Sequence, residues 1–420
     1  MKTRRWIAAA AAVFAVAGVL PAGAAGDTTH ALMADRSRGF VKTPALAALL
    51  AANRDPFLSG ALYPDSGYVA RDAQVPGGDY GEVSHWENFI NAYVAHIRSK
   101  PECAAVTNPT GPCAPMIAHL LGAAAHGMGD EIWDWLFEPL ATDHGEFPDH
   151  PVASGDPLGG IPPGSLINSI EYAMDMIAIK DHFLWAEIPH YVPPAEDLVA
   201  VYSSIGRDDI STQGIVVGNA LESAIIAAER FGAAVDGERV RAQMPWSSAH
   251  FYSESGGVIF SARAIAGYTE GLWRKLTAAP GVHPAPAVVA FHPEHNETGV
   301  PWKWHPALTS PGQDSGGGEN RILVSLSNSV DPATVTPTSF ILIGPDFSVI
   351  PPLAGFPKAG PWGPDGTHTI LYYPAIDLQP CTQYTAVATS ALKDHAGASL
   401  TRAASWSFVT RAADGVGSCE

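Results

Sequence analysis

The chain has 420 residues, of which 46% are hydrophobic, so it is long enough to form two domains with separate cores. Its formal net charge is −18 at pH 7. A protein this acidic repels nucleic acid, and the sequence contains no basic stripe that would attract it. We therefore expect no nucleic-acid partner.

The first 25 residues have the pattern of a secretory signal peptide. Three basic residues precede an apolar run from Trp6 to Leu20, and small residues follow through Ala25. The apolar run is too short to cross the hydrocarbon core of a membrane as a helix. We expect cleavage after Ala24 or Ala25 and a secreted, extracellular protein.

Four cysteines are consistent with an exported protein. Cys103 and Cys113 flank a short loop that contains Pro and Gly, and Cys381 is within reach of Cys419 near the end of the chain. We expect these two pairs to form disulfide bonds.

The composition changes near residue 280, which predicts a multidomain protein. Residues 26–280 predict an all-α domain, because segments rich in Ala, Leu and Ile recur with a helical period. These segments lie around 44–53, 84–99, 115–137, 165–187, 195–204, 213–232 and 258–277. After a Pro- and Ala-rich linker at 281–287, short alternating runs predict an all-β sandwich over 288–411, followed by a tail at 412–420.

Three ionisable side chains recur at a spacing of four in an otherwise apolar segment. His126, Asp130 and Asp134 lie within AHLLGAAAHGMGDEIWDWLF, and this spacing places all three on one face of an α-helix. Burial of carboxylates without a compensating cation costs several kcal/mol. The pattern therefore predicts a metal site on this helix.

Three further residues are candidate ligands because of their surroundings. His30 lies in DTTHALMADRSRGF, Asp65 in SGALYPDSGY, and His85 in GEVSHWENFINAYVAHI. Each has an ordinary alternative, such as a turn residue for Asp65 or a cap for His85. Together with His126 and Asp130, they indicate a metal cluster.

In its first half, the chain resembles the zinc-dependent phospholipase C family, most closely the branch of glycosylphosphatidylinositol-specific phospholipases D. The resemblance extends in order through TTH, YPDSGY, VSHWENFINAYVAHIR and LLGAAAHGMGDEIWDW, and it covers roughly residues 28–205. It implies an all-α catalytic domain with zinc ions grouped in a cleft.

The resemblance also implies a set of ligands. One zinc ion would be held by Asp65, His85, His126 and Asp130. A second would be held by His30, by Asp130 as a bridging carboxylate, and by the amine and carbonyl of the mature N-terminus.

The third zinc site of the family has no clear counterpart, because Asp134 stands where a histidine is expected. Glu171 and Asp175 have helical i, i+4 spacing, and we favour them over the alternative pair His150 and Asp156, which lies in a Pro/Gly-rich loop. A site built from Asp134, Glu171 and Asp175 would offer only oxygen ligands. We therefore expect a weaker third metal ion, either zinc or a harder cation such as calcium, magnesium or manganese.

The resemblance implies a secreted phosphodiesterase, a hypothesis that has two rivals. A zinc-bound water would attack a phospholipid in a multi-zinc cleft, with Asp65 as both ligand and proton acceptor. The expected partners are a phospholipid or other phosphodiester and a peripheral membrane surface, and the expected state is a monomer. The alternatives are a single-strand-specific zinc nuclease and a non-catalytic cell-surface module with a degraded metal cluster.

The second domain resembles the Ig-like modules of exported bacterial proteins. The similarity lies in DPATVTPTSFILIG and in CTQYTAVATSALKDHAGASL followed by WSFVT. It implies adhesion, spacing or substrate presentation rather than catalysis.

Overall fold

The computed structural model describes most of the chain after the predicted signal peptide. The described residues are 26–146, 170–181, 183, 187–302, 321–360, 367–413 and 419. The predicted signal peptide at 1–25 and the alternative ligands His150 and Asp156 lie outside them.

The described residues between 27 and 277 are helical wherever they form regular structure, as the period-3.6 pattern predicts. The helices are α1 (Asp27–Ser37), α2 (Pro44–Ala52), α3 (Arg54–Asp72), α4 (Gly81–Ser84), α5 (Glu87–Ser99), α6 (Ala114–Ile132), α7 (Glu138–Asp143), α8 (Ile170–Lys180), α9 (Ala195–Ser204), α10 (Thr212–Gln243), α11 (Pro245–His250) and α12 (Val258–Thr277).

Helices α3 and α6 cross at very short range because glycines lie at the crossing point. A Cβ atom on Gly122 of α6 would lie 2.0 Å from the carbonyl oxygen of Phe57 on α3. A Cβ on Gly60 of α3 would lie 2.1 Å from the carbonyl oxygen of His119. Any larger residue would separate the helices, so the small residues in LLGAAAHGMGD bring the polar faces of α3 and α6 together.

The predicted helix at 115–137 is not one continuous α-helix. Its backbone changes to a π-helix over Trp133–Phe137, directly after α6. Asp134 therefore lies in this π-helical turn, outside the α-helix that carries His126 and Asp130.

The C-terminal part is a β-sandwich of two sheets. Its strands are β1 (Val288–His292), β2 (Thr298–Val300), β3 (Ile322–Leu326), β4 (Phe340–Ile343), β5 (Val349–Ile350), β6 (Lys358–Ala359), β7 (Thr369–Tyr372), β8 (Gln383–Ala388) and β9 (Ala404–Thr410). One sheet has the order β1-β3-β7-β6 and the other β2-β9-β8-β4-β5. The pairs are antiparallel except β2 with β9. The predicted all-α domain followed by an all-β Ig-like sandwich is confirmed.

The two halves of the chain share buried surface. Leu323 and Leu371 of the β1-β3-β7-β6 sheet, and Tyr373 directly after β7, belong to the hydrophobic core of the helical part rather than to that of the sandwich. The buried side chain of Arg321, just before β3, donates through Nη1 to the carbonyl oxygen of Trp135. One face of this sheet therefore packs against the helices.

Both predicted disulfide bonds are present. Cys103 is bonded to Cys113, and Cys381 to Cys419. Among the described residues, no helix combines the length and the apolar character that a membrane-spanning segment needs.

Candidate metal centre

Five of the predicted ligands meet in one buried cluster, here called the His/Asp cluster. It consists of His30 on α1, Asp65 on α3, His85 just after α4, and both His126 and Asp130 on α6. All five are at least nine-tenths buried. The close crossing of α3 and α6 brings Asp65 of α3 next to His126 of α6.

The two carboxylate oxygens of Asp130 face different histidines. Oδ1 lies 3.0 Å from Nε2 of His30, while Oδ2 lies 3.6 Å from Nε2 of His85 and 3.5 Å from Nε2 of His126. Asp65 faces the same two histidines as Oδ2 of Asp130, with its oxygens 3.5 Å from Nε2 of His85 and 3.6 Å from Nε2 of His126. A carboxylate between two sets of imidazoles has the arrangement of a bridging ligand.

The tautomers of two histidines follow from their backbone contacts. Nδ1 of His126 lies 2.7 Å from the carbonyl oxygen of Ala61, and Nδ1 of His85 lies 2.7 Å from that of Gly81. A carbonyl oxygen only accepts hydrogen bonds, so each Nδ1 carries the hydrogen and, in the neutral ring, each Nε2 carries a lone pair. The two Nε2 atoms are nevertheless only 3.0 Å apart. Two lone pairs at this distance repel each other unless a proton or a metal ion lies between them.

The spacing of the donor atoms also fits zinc. Two ligands held about 2.0 to 2.1 Å from a tetrahedral ion are separated by about 3.3 Å. The contacts within the His/Asp cluster range from 3.0 to 3.6 Å. Two sets of three residues could each hold a metal ion, because the ligand atoms within each set all lie within 4.8 Å of one another. One set is His30, Asp65 and His126, and the other is His85, His126 and Asp130. The carbonyl acceptors behind His85 and His126 are the outer partners that usually orient zinc-bound imidazoles.

The electrostatics of the cluster keep its carboxylates ionised. Burial alone would raise the pKa of Asp65 and of Asp130, but His126 and the neighbouring imidazoles lower both. Burial lowers the pKa of His126 to about 4, helped by His30. Burial also opposes protonation of His85, but Asp65 and Asp130 outweigh it and raise the pKa of His85 to about 9. The cluster therefore attracts a cation, and a metal ion would take the place of the His85 proton.

Asp65 is the most accessible acid of the cluster. Its side chain is 13% exposed, whereas those of Asp130, His85 and His126 are 5% exposed or less. Of the potential ligands, Asp65 is thus the best placed to contact a molecule that enters from solvent.

The three residues predicted for the third metal site do not join either ligand group. Asp134 lies in the π-helix, where burial and the nearby Glu138 raise its pKa well above the usual range. Asp175 instead caps α1: its Oδ1 accepts from the backbone N and Oγ1 of Thr29 at 2.7 and 2.6 Å, and its Oδ2 accepts from the backbone N of Thr28 at 3.2 Å. A carboxylate in this position is stabilised by the free amides and dipole of the helix N-terminus.

Glu171 is buried on α8, one turn before Asp175. No group of potential ligand atoms among the described residues joins it to Asp134. An oxygen-only third site formed by Asp134, Glu171 and Asp175 stays a prediction, and the capping contacts of Asp175 give that residue a structural role.

Three buried acids near the start of α1 were missed by the sequence analysis. Asp27, Glu222 and Glu229 lie near Asp175, and Oε2 of Glu229 accepts from Oγ1 of Thr28 at 2.8 Å. Both carboxylate oxygens of Glu222 are buried away from solvent. A signal was present, because Glu222 and Glu229 are seven residues apart in the apolar stretch ALESAIIAAER and therefore share one helix face.

Gly26, next to the expected cleavage position, lies against this acidic group. A Cβ on Gly26 would be 2.4 Å from Oδ2 of Asp175, and its carbonyl oxygen accepts from the backbone N of His30 at 3.0 Å. That carbonyl already takes part in the first turn of α1. Zinc binding by the mature N-terminal amine and carbonyl stays a prediction.

The comparisons with known proteins give one partial relative and one family match. Over 178 residues, the chain is 27% identical to phosphatidylinositol-glycan-specific phospholipase D from Bos taurus, and the alignment covers 40% of this chain and 19% of the bovine protein. Two solved structures of the surface layer protein SbsC are 12% identical, each with 77% of this chain and 45% of the other covered, but their TM-score of 0.21 carries no argument about the fold. Residues 283–410 match the family model of the bacterial Ig-like domain, so the sandwich is a domain of that family.

Proposed function

We propose that this protein is a secreted, zinc-dependent phosphodiesterase of the phospholipase C type that hydrolyses phospholipids. The observation that carries the proposal is the pair of Nε2 atoms of His85 and His126, which lie 3.0 Å apart with both Nδ1 positions committed to backbone carbonyls. A metal ion between these atoms, with Asp65 and Asp130 at 3.5 to 3.6 Å, would use both lone pairs and both carboxylates.

The residues of the His/Asp cluster would have different roles in this reaction. When bound, zinc ions lower the pKa of water toward neutrality and neutralise charge on phosphate oxygens. The imidazoles of His85 and His126 are oriented by hydrogen bonds to the backbone carbonyl oxygens of Gly81 and Ala61. Asp130 connects these two ligands to His30. Asp65, the most exposed acid, would accept a proton at a carboxylate oxygen as water attacks phosphorus in line. The P–O ester bond opposite the water would break, and the leaving alcohol oxygen would take a proton from solvent.

Two observations support a lipid as the substrate. The similar bovine protein is named as a phospholipase, although the chain spans only a fifth of its length. Helix α10 also exposes Val216, Phe231 and Val235, which lie within about 100° of one another around the helix axis. An exposed apolar stripe of this kind suits contact with a membrane surface.

The test compares two isosteric substitutions in the full chain. Asp130→Asn removes the charge that faces three histidines, whereas Asp197→Asn removes a charge paired with Lys100 and His96 away from the cluster. We expect Asp130→Asn to lower phosphodiesterase activity by at least roughly 100-fold, the upper range seen when even an outer partner of a metal ligand is lost. Asp197→Asn should retain activity.

The assay uses vesicles of phosphatidylcholine or phosphatidylinositol and, in parallel, single-stranded DNA, with metal content measured on the same samples. Release of a phosphorylated headgroup indicates cleavage on the glycerol side. Activity on DNA alone would favour the nuclease. Well under one metal equivalent in the wild type would favour the binding module, and full turnover by Asp130→Asn on every substrate would contradict the ligand assignment.

A further inference from the structure

The Ig-like domain donates hydrogen bonds to a buried glutamate of the metal-binding helix. Glu131 on α6 accepts from the backbone N of His368 at 2.9 to 3.0 Å, from its Nδ1 at 3.0 Å, and from Oγ1 of Thr367 at 3.0 Å. Glu131, Thr367 and His368 are 1%, 2% and 4% exposed. A carboxylate so enclosed is held in one position.

The same histidine also faces a second carboxylate of the helical domain. Nε2 of His368 lies 3.5 Å from Oε2 of Glu87 at the start of α5, and Glu87 accepts further from the backbone N of Ser329 and from Nζ of Lys275. Burial lowers the pKa of His368, but Glu131 and Glu87 outweigh it and leave the pKa raised. His368 therefore lies between two carboxylates, one from each of two helices. The set Glu87, Glu131 and His368 is here called the interdomain clamp.

Both carboxylates of the interdomain clamp stand beside candidate metal ligands. Glu131 directly follows Asp130, and Glu87 is two residues after His85. Asp130 and His85 come from different elements, and their side chains must stay within 3.6 Å of each other to share an ion. His368 thus connects the two backbone segments that carry these ligands.

We propose that His368 is a positioning residue of the metal centre, so that the Ig-like domain sets metal affinity instead of acting only as a spacer. The inference rests on the proposed metal centre. Outer partners that contact a ligand directly typically change metal affinity by about 10- to 100-fold. His368 acts through the neighbouring residue, so its removal should cost about tenfold.

The experiment uses the full chain with His368→Ala and a matched control. Arg263→Ala also removes an ion pair between the two domains, the one from Nη1 to Oε1 of Glu294 at 2.7 Å, but this pair is half-exposed and neither residue adjoins a ligand. Zinc affinity is measured by competition with a chelator. The absorption spectrum of the cobalt-substituted protein reports the ligand geometry, which a merely structural role would not change.

We expect His368→Ala to weaken zinc binding about tenfold and to alter the cobalt spectrum, while Arg263→Ala changes neither. Wild-type affinity and spectrum in a folded His368→Ala variant would overturn the inference. If that variant does not fold, Thr367→Val, which removes one donor to Glu131, must weaken binding severalfold, and unchanged affinity there overturns it as well. A wild-type protein that binds neither metal would instead overturn the proposed function, and with it this inference.

Discussion

Gly127 offers a direct test of the link between helix packing and the metal centre. A Cβ on Gly127 would lie 2.3 Å from the backbone carbonyl oxygen of His85, whereas ordinary contact begins at 3.4 Å. Gly127→Ala must therefore push His85 away from α6 by about 1 Å. Metal–ligand bond lengths in a genuine site lie within about 0.2 Å of their standard values, so a displacement of about 1 Å is large. We expect Gly127→Ala to lose most of its zinc affinity and activity.

The fold should survive this substitution. The extra methyl group costs about 1 to 3 kcal/mol through overpacking, and alanine in a helix recovers up to about 1 kcal/mol relative to glycine. The net destabilisation of about 2 kcal/mol or less is read from thermal unfolding in the presence of a chelator. Gly39→Ala is the control, because an added Cβ there meets nothing within 4 Å. Zinc affinity equal to that of the wild type in Gly127→Ala would refute the packing argument.

Two further predictions concern the acids near α1 and the surface of α10. Burial raises the pKa of Glu222 to about 8 from an ordinary value of 4.5. Between these two pH values the folded state keeps a proton that the unfolded chain loses. The free energy of unfolding should therefore fall as pH rises from about 4.5 to 8. Urea unfolding of metal-free protein at pH 5 and 8 should show a smaller decline for Glu222→Gln, and an equal decline would contradict this account. On α10, Val216→Ser with Val235→Ser should weaken vesicle binding severalfold and leave hydrolysis of a soluble, short-chain phosphodiester unchanged, since both side chains are more than half exposed. Unchanged vesicle binding would exclude this surface.

Much of the fold was predictable because each half has its own sequence period. The apolar repeat at 213–232 marks α10, although the helix continues to Gln243 through a less regular stretch. The alternation in ASWSFVT marks β9, whose residues alternate between less and more buried positions. The strands β1, β2, β5 and β6 were missed; β5 and β6 have two residues each, which is too few to display any period.

The His/Asp cluster was predictable for a different reason. Ionisable side chains inside apolar segments are costly, so the sequence pattern by itself indicates that His126 and Asp130 need a partner. The surroundings of His30, Asp65 and His85 made them further candidates, the resemblance assigned them to two sites, and the fold brings these residues together. The third site could not be treated in the same way. The i, i+4 spacing of Glu171 and Asp175 shows that they share a helix face, but it does not show that Asp175 faces the amides of α1.

The interdomain contacts could not be predicted from a composition shift. The change near residue 280 separates two folding patterns and therefore suggests two independent units with a linker. Nothing in that pattern indicates that Leu323 and Leu371 complete the helical core, or that His368 pairs with Glu131. Such contacts depend on how one finished surface meets another, which no local period encodes.

The geometry of α6 explains how the two domains can be coupled at all. Consecutive residues on an α-helix point about 100° apart, so Asp130 and Glu131 face different neighbours although they are adjacent in sequence. Asp130 faces the histidines of the His/Asp cluster, and Glu131 faces Thr367 and His368 of the Ig-like domain. Because both side chains are fixed on one rigid backbone segment, a shift at the domain interface of a few tenths of an ångström moves the ligand by a comparable amount. A metal centre whose bond lengths lie within about 0.2 Å of their standard values would detect that shift, which is why zinc affinity is the sensitive measure of the domain contact.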